Sequence, residues 1–345
     1  MTDRFEPPQP LTGSGFGARL QLAGAPAQQP IAERHAARRV VEAAERDPKL
    51  LPAALADAGG LLLLPGLQAM ADLPELLVRL SRVFGAEVED YRHNLTAPNM
   101  VHPSVPEIFI VSNVAPVSRM PPRQPEPPLT QDGKLPTRFP HRRGWHTDQS
   151  YRRPPPDISL FLAVTPIRRD QGQTLFADAT AAYAALPPEM QARLNGLDGI
   201  HVQNGAGRNR DAVLSGASPR ELAPHERPQR QPLVRIHPVT GRPALYLCEA
   251  GQMDWLDGPI AGMQPGPDGD GGALLFELMS HLTRPEFVYV HEWTRGDLVV
   301  WDNRCLVHAA TWFDAETESR VMWRTTVSGN PGPAYAGENK SWIPA

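Results

Sequence analysis

The chain has little cysteine, no long apolar run and no excess of positive charge. Its two cysteines, Cys248 and Cys305, are too few for a disulfide framework or a four-thiolate zinc site, so we interpret both as reduced packing residues. The net charge of −4 argues against the basic field that drives binding to nucleic acids or anionic membranes. Any metal site must therefore be built from histidine and carboxylate side chains.

Targeting and membrane signals are also missing from the sequence. The apolar run between Gly60 and Pro65 is far too short to span a bilayer, and residues 1–30 lack the basic and then apolar pattern of a secretion signal. With 41% hydrophobic and 21% charged residues, the composition is that of an ordinary globular protein. We expect a cytoplasmic protein with no membrane partner, one domain over 1–345, and an extended N-terminal segment over 1–30.

Proline is abundant, with 39 residues, whereas the usual share is roughly 5%. This predicts many rigid, extended connections. Two long polar stretches, 115–143 and 203–231, have a length that is typical of active-site lids or of disordered loops. Basic residues of the first stretch, such as Arg119 and Arg123, could attract acidic substrates, although a solvated loop is the simpler interpretation.

Apolar periodicity predicts helices near 31–46, 49–57, 73–84, 178–195 and 272–282. Runs of β-branched and aromatic residues predict strands at 107–111, 158–164, 233–236, 244–247, 287–291, 298–301 and 321–327. Short strands at irregular spacing, with few helices between them, favour antiparallel sheets over a doubly wound parallel sheet. We therefore predict a mainly β fold with flanking helices around a double-stranded β-helix, or jelly-roll, core.

His146 and Asp148 are separated by one residue, so in a strand both side chains would leave the same face and could bind one metal ion. With 11 histidines and 38 acidic residues, such a pair is expected about once by chance, and alone it could be a polar strand edge. His308 would add a third ligand, although alone it could be a hydrogen-bonded core histidine. Two histidines and a carboxylate form the facial triad that leaves three positions open on non-haem iron(II), whereas a structural zinc site is closed by a fourth ligand.

Arg320 and Arg324 lie four residues apart in a predicted strand, which places both guanidinium groups on one face. If that face lines the barrel, two buried charges need anions as partners, and the planar fork of arginine suits carboxylate or sulfonate. One arginine would take the distal carboxylate of 2-oxoglutarate, and the other an acidic group of the substrate. The alternative places both outside, paired with Glu316 or Glu318.

An extended set of motifs resembles the taurine dioxygenase and 2,4-dichlorophenoxyacetate dioxygenase family. The resemblance covers most of the chain from about residue 84 to 329, and the motifs that carry it are Gly144-Trp-His-Thr-Asp-Gln-Ser-Tyr151, Gly172-Gln-Thr-Leu-Phe-Ala-Asp178, Thr180-Ala-Ala-Tyr183, His237-Pro-Val-Thr-Gly-Arg-Pro-Ala-Leu-Tyr246 and Trp301-Asp-Asn-Arg304. It implies an oxygenase that uses iron(II), 2-oxoglutarate and dioxygen, hydroxylates a small organic acid, and releases succinate and carbon dioxide. Where the hydroxylated carbon bears oxygen or sulfonate, the product would collapse with bond cleavage.

Residue by residue, the resemblance implies three iron ligands, His146, Asp148 and His308. It implies that Thr174 and Arg320 hold the distal carboxylate of 2-oxoglutarate. Asp148 also argues against halogenation, because halogenases with this scaffold give up the carboxylate so that halide can bind iron. The resemblance also allows a homo-oligomer, although no interface can be identified in the sequence.

The substrate end of the site departs from the taurine enzyme. Arg324 matches the position that binds the anionic group of taurine, but the segment after Phe84 lacks the substrate-contacting histidine, which argues against taurine as substrate. Asp90 and Tyr91 fall near that position, and Asp90 could receive a cationic group, although a solvated acidic loop is the simpler interpretation. Two other functions use the same ligands: a jelly-roll protein that binds a metal or small acid without turnover, and a hydrolase with a zinc-bound water.

Overall fold

The computed structural model describes residues 3–23, 30–93, 97–249 and 252–328. Within these ranges the helices are α1 (Pro30–Arg46), α2 (Leu50–Asp57), α3 (Glu75–Arg82), α4 (Ala179–Ala184), α5 (Pro188–Leu194), α6 (Arg210–Leu214) and α7 (Asp270–Leu282). The three early helices and α7 confirm the sequence prediction. The single helix expected over 178–195 is instead divided into α4 and α5, because Pro187 between them and Pro188 at the start of α5 lack the amide hydrogens that a continuous helix needs.

The strands found in the same ranges are β1 (Gln9–Pro10), β2 (Ala18–Arg19), β3 (Leu61–Leu64), β4 (Glu87–Val88), β5 (Phe109–Ser112), β6 (Ile158–Thr165), β7 (Thr174–Asp178), β8 (Asp198–His201), β9 (Gln229–Pro232), β10 (Val234–Ile236), β11 (Pro243–Leu245), β12 (Val288–His291), β13 (Leu298–Asp302), β14 (Leu306–Ala310) and β15 (Val321–Ser328). Each of the seven predicted strands is present within a few residues. The described part of the predicted N-terminal segment supplies β1 and β2.

Two sheets form the core of the fold. The larger has the order β1-β2-β3-β13-β6-β15-β4, with β5 also pairing with β15, and the smaller has the order β12-β7-β14. Pairing is antiparallel except between β2 and β3. Two hairpins, β8-β9 and β10-β11, lie outside both sheets. The predicted jelly-roll architecture is confirmed.

Strand β13 shows how the core is divided. Val299 and Trp301 pack into the cluster between the two sheets, whereas Leu298 and Val300 pack into a second cluster with the early helices. The larger sheet is therefore buried on both faces, and its strands β3, β6 and β13 are mostly apolar. Burial on both faces also explains β3, a run of four leucines that sequence periodicity alone did not identify as a strand.

The smaller sheet carries part of the site. Strand β14 pairs with β7, and one further backbone bridge joins His146 to His308 of β14. Residues 115–143, described throughout, contain no helix or strand, whereas 203–231 includes α6 and the start of β9. None of the described helices has both the length and the apolar character that crossing a bilayer requires.

Candidate active site

A cavity of about 530 Å³ lies between the two sheets. Side chains from β6, β7, β13, β14 and β15 contribute to its walls. The structure brings together in this cavity the six residues predicted to bind the metal, the co-substrate or the acidic group of the substrate: His146, Asp148, Thr174, His308, Arg320 and Arg324.

Backbone hydrogen bonds hold the two histidines side by side. The His146 amide donates to the His308 carbonyl at 2.9 Å, the His308 amide donates to the His146 carbonyl at 2.7 Å, and the ring centroids are 4.3 Å apart. The expectation that Asp148 shares a strand with His146 is wrong, since the bridge at His146 is followed by a turn. The turn nevertheless directs the carboxylate towards both rings.

Three donor atoms converge at this point. Nε2 of His146 and Nε2 of His308 each lie 3.9 Å from Oδ1 of Asp148, and the ligand atoms of the three residues are within 4.8 Å of one another. Nδ1 of His146 lies 2.8 Å from the Gly144 carbonyl and must donate to it, which leaves the Nε2 lone pair available. The arrangement fits a divalent metal ion that the three residues bind from one side and whose coordination positions on the other side stay open.

The protonation states also suit a metal. Burial lowers the pKa of His146, and burial together with the neighbouring His146 lowers the pKa of His308 to about 3. Burial raises the pKa of Asp148, but the positive charge of Arg324 and the two histidines outweigh it and lower that pKa to about 2. Both imidazoles are therefore neutral and the carboxylate is ionised near neutral pH, as metal ligation requires.

A buried hydrogen-bond chain fixes the orientation of Asp148. Ser159 donates to Oδ2 of Asp148 at 2.7 Å, and the Asn303 amide nitrogen donates to the Ser159 hydroxyl at 2.9 Å. Oδ1 of Asn303 accepts from the Asp148 backbone amide at 3.2 Å and from the Trp301 indole at 2.9 Å. Oδ2 is thus occupied by Ser159, and Oδ1 faces the histidines.

The predicted co-substrate residues line another part of the cavity. Arg320 is 8% exposed, its guanidinium lies over Phe161 and Phe313, and its Nε has no hydrogen-bond partner among the described residues. Burial and then the charge of Arg119 lower the pKa of Arg320 to about 10, which leaves it protonated near neutral pH. Thr174 is buried too, and its hydroxyl oxygen accepts from the Trp293 indole at 3.0 Å.

Arg324 shares the cavity but already has a carboxylate partner. Its Nη1 donates to Oδ1 of Asp148 at 2.6 Å, and its guanidinium lies 5.0 Å from the Phe109 ring centroid. Arg320 directly precedes β15, and the register of β15 against β6 shifts between Val321 and Met322. Both arginines nevertheless face the interior, which excludes the alternative of outer surface pairs with Glu316 or Glu318.

The other two predicted substrate residues are not among the described residues that line the cavity. Asp90 pairs with Arg92 at 2.6 Å. Tyr91 is buried behind the cavity wall, where its hydroxyl lies 2.7 Å from that of Thr326 and its ring packs on Phe109. Tyr91 can therefore support Arg324 and Phe109 from behind, whereas Asp90 belongs to a surface ion pair.

Sequence reasoning missed the residues that support the ligands. Asn303 could have been identified, because it belongs to the Trp301-Asp-Asn-Arg304 motif. Ser159 and Trp293, by contrast, are ordinary members of β-rich segments. Their importance lies in contacts across the fold: Trp293 reaches Thr174 from 119 positions away. A sequence pattern cannot indicate such a pair.

A jelly-roll core whose interior presents two histidines and one carboxylate defines a class of proteins with a facial metal triad. Within that class, the family model described as "Taurine catabolism dioxygenase TauD, TfdA family" matches residues 28–326. The chain belongs to this family.

Relatives agree with that assignment. A (S)-phenoxypropionate/alpha-ketoglutarate-dioxygenase from Sphingobium herbicidovorans is 35% identical over 197 residues, or 56% of this chain and 64% of the relative. An alpha-ketoglutarate-dependent 2,4-dichlorophenoxyacetate dioxygenase from Cupriavidus pinatubonensis is 37% identical over 185 residues, 53% and 59% of the two chains. The alignments span less than two thirds of either relative. The crystal structure of AAD-2 in complex with Mn(II) and N-oxalylglycine is 27% identical, with a TM-score of 0.62, and the match covers 96% of this chain and 98% of that one.

Proposed function

We propose that the protein is an iron(II)- and 2-oxoglutarate-dependent dioxygenase that hydroxylates a small acidic organic substrate. The observation that carries the proposal is a single cavity with a three-donor metal site and, beside it, the buried cation Arg320 with its Nε unsatisfied in the described structure. A hydrolase with a zinc-bound water would not need this cation, and a protein that only binds a metal would not need it either.

A 2-oxo acid with two carboxylates suits the two ends of the cavity. His146, Asp148 and His308 would hold iron(II) and leave three positions open, two of which a 2-oxo carboxylate can occupy. Arg320 would receive the distal carboxylate through its planar fork, with the Thr174 hydroxyl as a second donor. Bound iron would supply the coupling of 2-oxoglutarate decarboxylation to the transfer of one oxygen atom from dioxygen to a substrate carbon.

The substrate class follows from the walls of the cavity and from the relatives. Phe109, Tyr151 and Phe313 contribute aromatic surface, and Arg324 contributes positive charge beside the metal ligands. The two curated relatives are named for phenoxypropionate and 2,4-dichlorophenoxyacetate. We therefore propose a substrate with a carboxylate or sulfonate and an apolar body, and hydroxylation next to an ether oxygen would cleave it.

Two further proposals concern the organisation of the whole chain. We propose that 1–345 form one domain and that 115–143 and 203–231 act as lids, because Arg119 and Met120 from the first and Asn204 from the second line the cavity. We also propose a cytoplasmic enzyme, a location that suits two buried cysteines without a disulfide.

The activity is tested without knowledge of the substrate. Protein reconstituted anaerobically with iron(II) and 2-oxoglutarate is expected to show a weak visible charge-transfer band and to form succinate when oxygen is admitted. Folded, iron-loaded protein that shows neither would contradict the proposal. A screen of aryloxyalkanoates, sulfonates and amino acids, scored by stimulation of succinate formation, then identifies the substrate.

A variant tests the role of Arg320. Arg320→Ala is expected to raise the concentration of 2-oxoglutarate needed for the charge-transfer band far more than it weakens iron binding, because Arg320 is not one of the proposed metal ligands. Unchanged 2-oxoglutarate affinity in this variant would assign the distal carboxylate to another residue.

A further inference from the structure

The charged side chains that line the cavity do not balance one another. Four arginines and two carboxylates are found among the described lining residues: Arg119, Arg143, Arg320, Arg324, Asp148 and Glu249. An unpaired charge is costly where it is buried unless a ligand supplies the partner, whereas an exposed one stays hydrated and is free to bind an anion. The two cations without a carboxylate therefore indicate where anionic ligands bind.

Two of the four arginines are already paired. Arg324 donates to Asp148 at 2.6 Å. Arg143 donates to Glu249 at 2.8 Å, and the second oxygen of Glu249 accepts from the Gly144 amide at 2.5 Å. Both lining carboxylates are thus engaged, and neither is available to the remaining arginines.

The two other arginines differ in depth. Arg320 is buried, and the proposed function assigns it to 2-oxoglutarate. Arg119 belongs to an exposed loop at the mouth, and its side chain has no hydrogen bond or ion pair with any residue in the described ranges. Arg119 is one of the residues that line the cavity, and desolvation and then the charge of Arg324 lower the pKa of its guanidinium. Once 2-oxoglutarate is bound, Arg119 is the cation that still lacks an anion.

The loop is built to hold Arg119 in place beside apolar surface. The Arg119 amide donates to the Ser112 carbonyl at 2.7 Å, at the end of β5. Met120, Pro121 and Pro122 follow it along the wall of the cavity. A cationic group next to a proline-stiffened apolar wall suits a ligand with an acidic head and an apolar body.

We infer that Arg119 binds the acidic group of the primary substrate, and that this substrate is an organic monoanion whose apolar body extends from the mouth towards the metal ligands. The inference rests on the proposed function and refines it. Arg324, which the family resemblance places at the substrate's acid group, already donates to Asp148. Arg119 thereby becomes a specificity-determining residue in a loop outside the family motifs.

Binding measurements separate an acid from its neutral counterpart. Phenoxyacetate and phenoxyacetamide have nearly the same shape, and each is titrated by calorimetry into full-length protein loaded with Mn(II) and N-oxalylglycine, so that no turnover occurs. The unmodified protein is expected to bind the acid about tenfold more tightly than the amide, as a charge-assisted hydrogen bond predicts. Arg119→Gln is expected to lose this preference without loss of folding, because the side chain has no hydrogen bond or ion pair within the described structure that the fold would lose.

Arg123→Gln provides the matched control, since Arg123 is an exposed arginine of the same loop that is not among the described lining residues. It is expected to keep the full preference. No preference in the unmodified protein, or an undiminished preference in Arg119→Gln, would overturn the inference. The charge-transfer band with iron(II) and 2-oxoglutarate does not depend on Arg119, so a failure here leaves that band intact, whereas failure of the proposed function removes it.

Discussion

Two clusters of possible metal ligands in the described part of the molecule contain similar residues but differ in whether their ligand atoms are free to bind a metal. His146, Asp148 and His308 form the cavity site, and His237, Asp302 and Cys305 form a second cluster with comparably close ligand atoms. At the first, Nε2 of each histidine is directed towards a shared carboxylate oxygen. At the second, the possible ligand atoms already take part in hydrogen bonds within the fold.

The hydrogen bonds of the histidines show the difference. Nδ1 of His237 accepts from the amides of Val239 and Thr240, so its Nε2 must carry the proton that it donates to Asp302 at 2.9 Å. Nδ1 of His146 is instead the donor, to the Gly144 carbonyl, which leaves Nε2 with a lone pair. The opposite tautomers leave one histidine with a lone pair that a metal could use and make the other a structural donor.

The carboxylates differ in the same way. Arg304 binds both oxygens of Asp302, at 2.8 and 2.6 Å, and this guanidinium outweighs the effect of burial and keeps the pKa of Asp302 well below its usual range. Burial raises the pKa of the Cys305 thiol well above its usual value, so no thiolate is available. Residue types within reach of one another are therefore not enough to form a metal site; the histidine nitrogen that faces the carboxylate must also keep its lone pair.

The largest effect is expected from the Asp148 carboxylate. Asp148→Asn can still accept from Ser159 and Arg324, but the loss of an anionic ligand should lower Mn(II) affinity by more than about a hundredfold, beyond the effect of supporting residues. Succinate formation should disappear with it. Calorimetry with Mn(II) measures the affinity, and near-normal binding would show that the cavity site is not the metal site.

Asp302→Asn is expected to have the opposite result. The substitution removes the nearer of the two carboxylates that face Arg304. The other carboxylate, that of Asp157, lies 3.9 Å from the guanidinium. Breaking a buried ion pair on one side costs about 3–5 kcal/mol, which urea unfolding at neutral pH would measure. The folded fraction should keep its Mn(II) affinity, and a loss of metal binding with unchanged stability would reverse the two assignments.

Ser159→Ala should give an intermediate effect at the cavity site. Removal of the hydroxyl frees Oδ2 of Asp148 and ends the link to Asn303, and loss of such a supporting contact typically lowers metal affinity by roughly 10–100-fold. Ser81→Ala is the matched control, because Ser81 is equally buried and its hydroxyl also bonds a distant side chain, that of Thr325. Equal metal affinity in the two variants would mean that Ser159 only fills space.

The sequence could indicate the ligands but not which of their atoms are free. His146, His308 and Arg320 were identified because few residue types do that chemistry and because the motifs around them match a family. The tautomer of His237 and the bond from Ser159 to Asn303, 144 positions away, arise only when distant segments meet. The strand assumed for Asp148 was wrong for a related reason, since long-range pairing with β14 extends to His146 and no further along that segment.

The same distinction applies at the end of the cavity proposed for 2-oxoglutarate, where the smallest effect is expected. Trp293 donates its indole N–H to the Thr174 hydroxyl oxygen, so the hydroxyl proton of Thr174 is directed elsewhere and can be donated to a carboxylate. Trp293→Phe keeps an aromatic ring against Phe161 and His291 but removes the N–H. The dissociation constant of 2-oxoglutarate, followed by the charge-transfer band, should rise roughly fivefold, equivalent to about 1 kcal/mol for one neutral hydrogen bond.

Trp255→Phe supplies the control for that change. Trp255 is also buried, but its indole N–H has no hydrogen-bond partner among the described residues, and it does not belong to the lining residues described for the cavity. The same substitution there should leave 2-oxoglutarate affinity unchanged while it removes a similar volume from the core. If both variants weakened 2-oxoglutarate binding equally, the effect would come from packing, and the hydrogen bond from Trp293 would not be what orients the Thr174 hydroxyl.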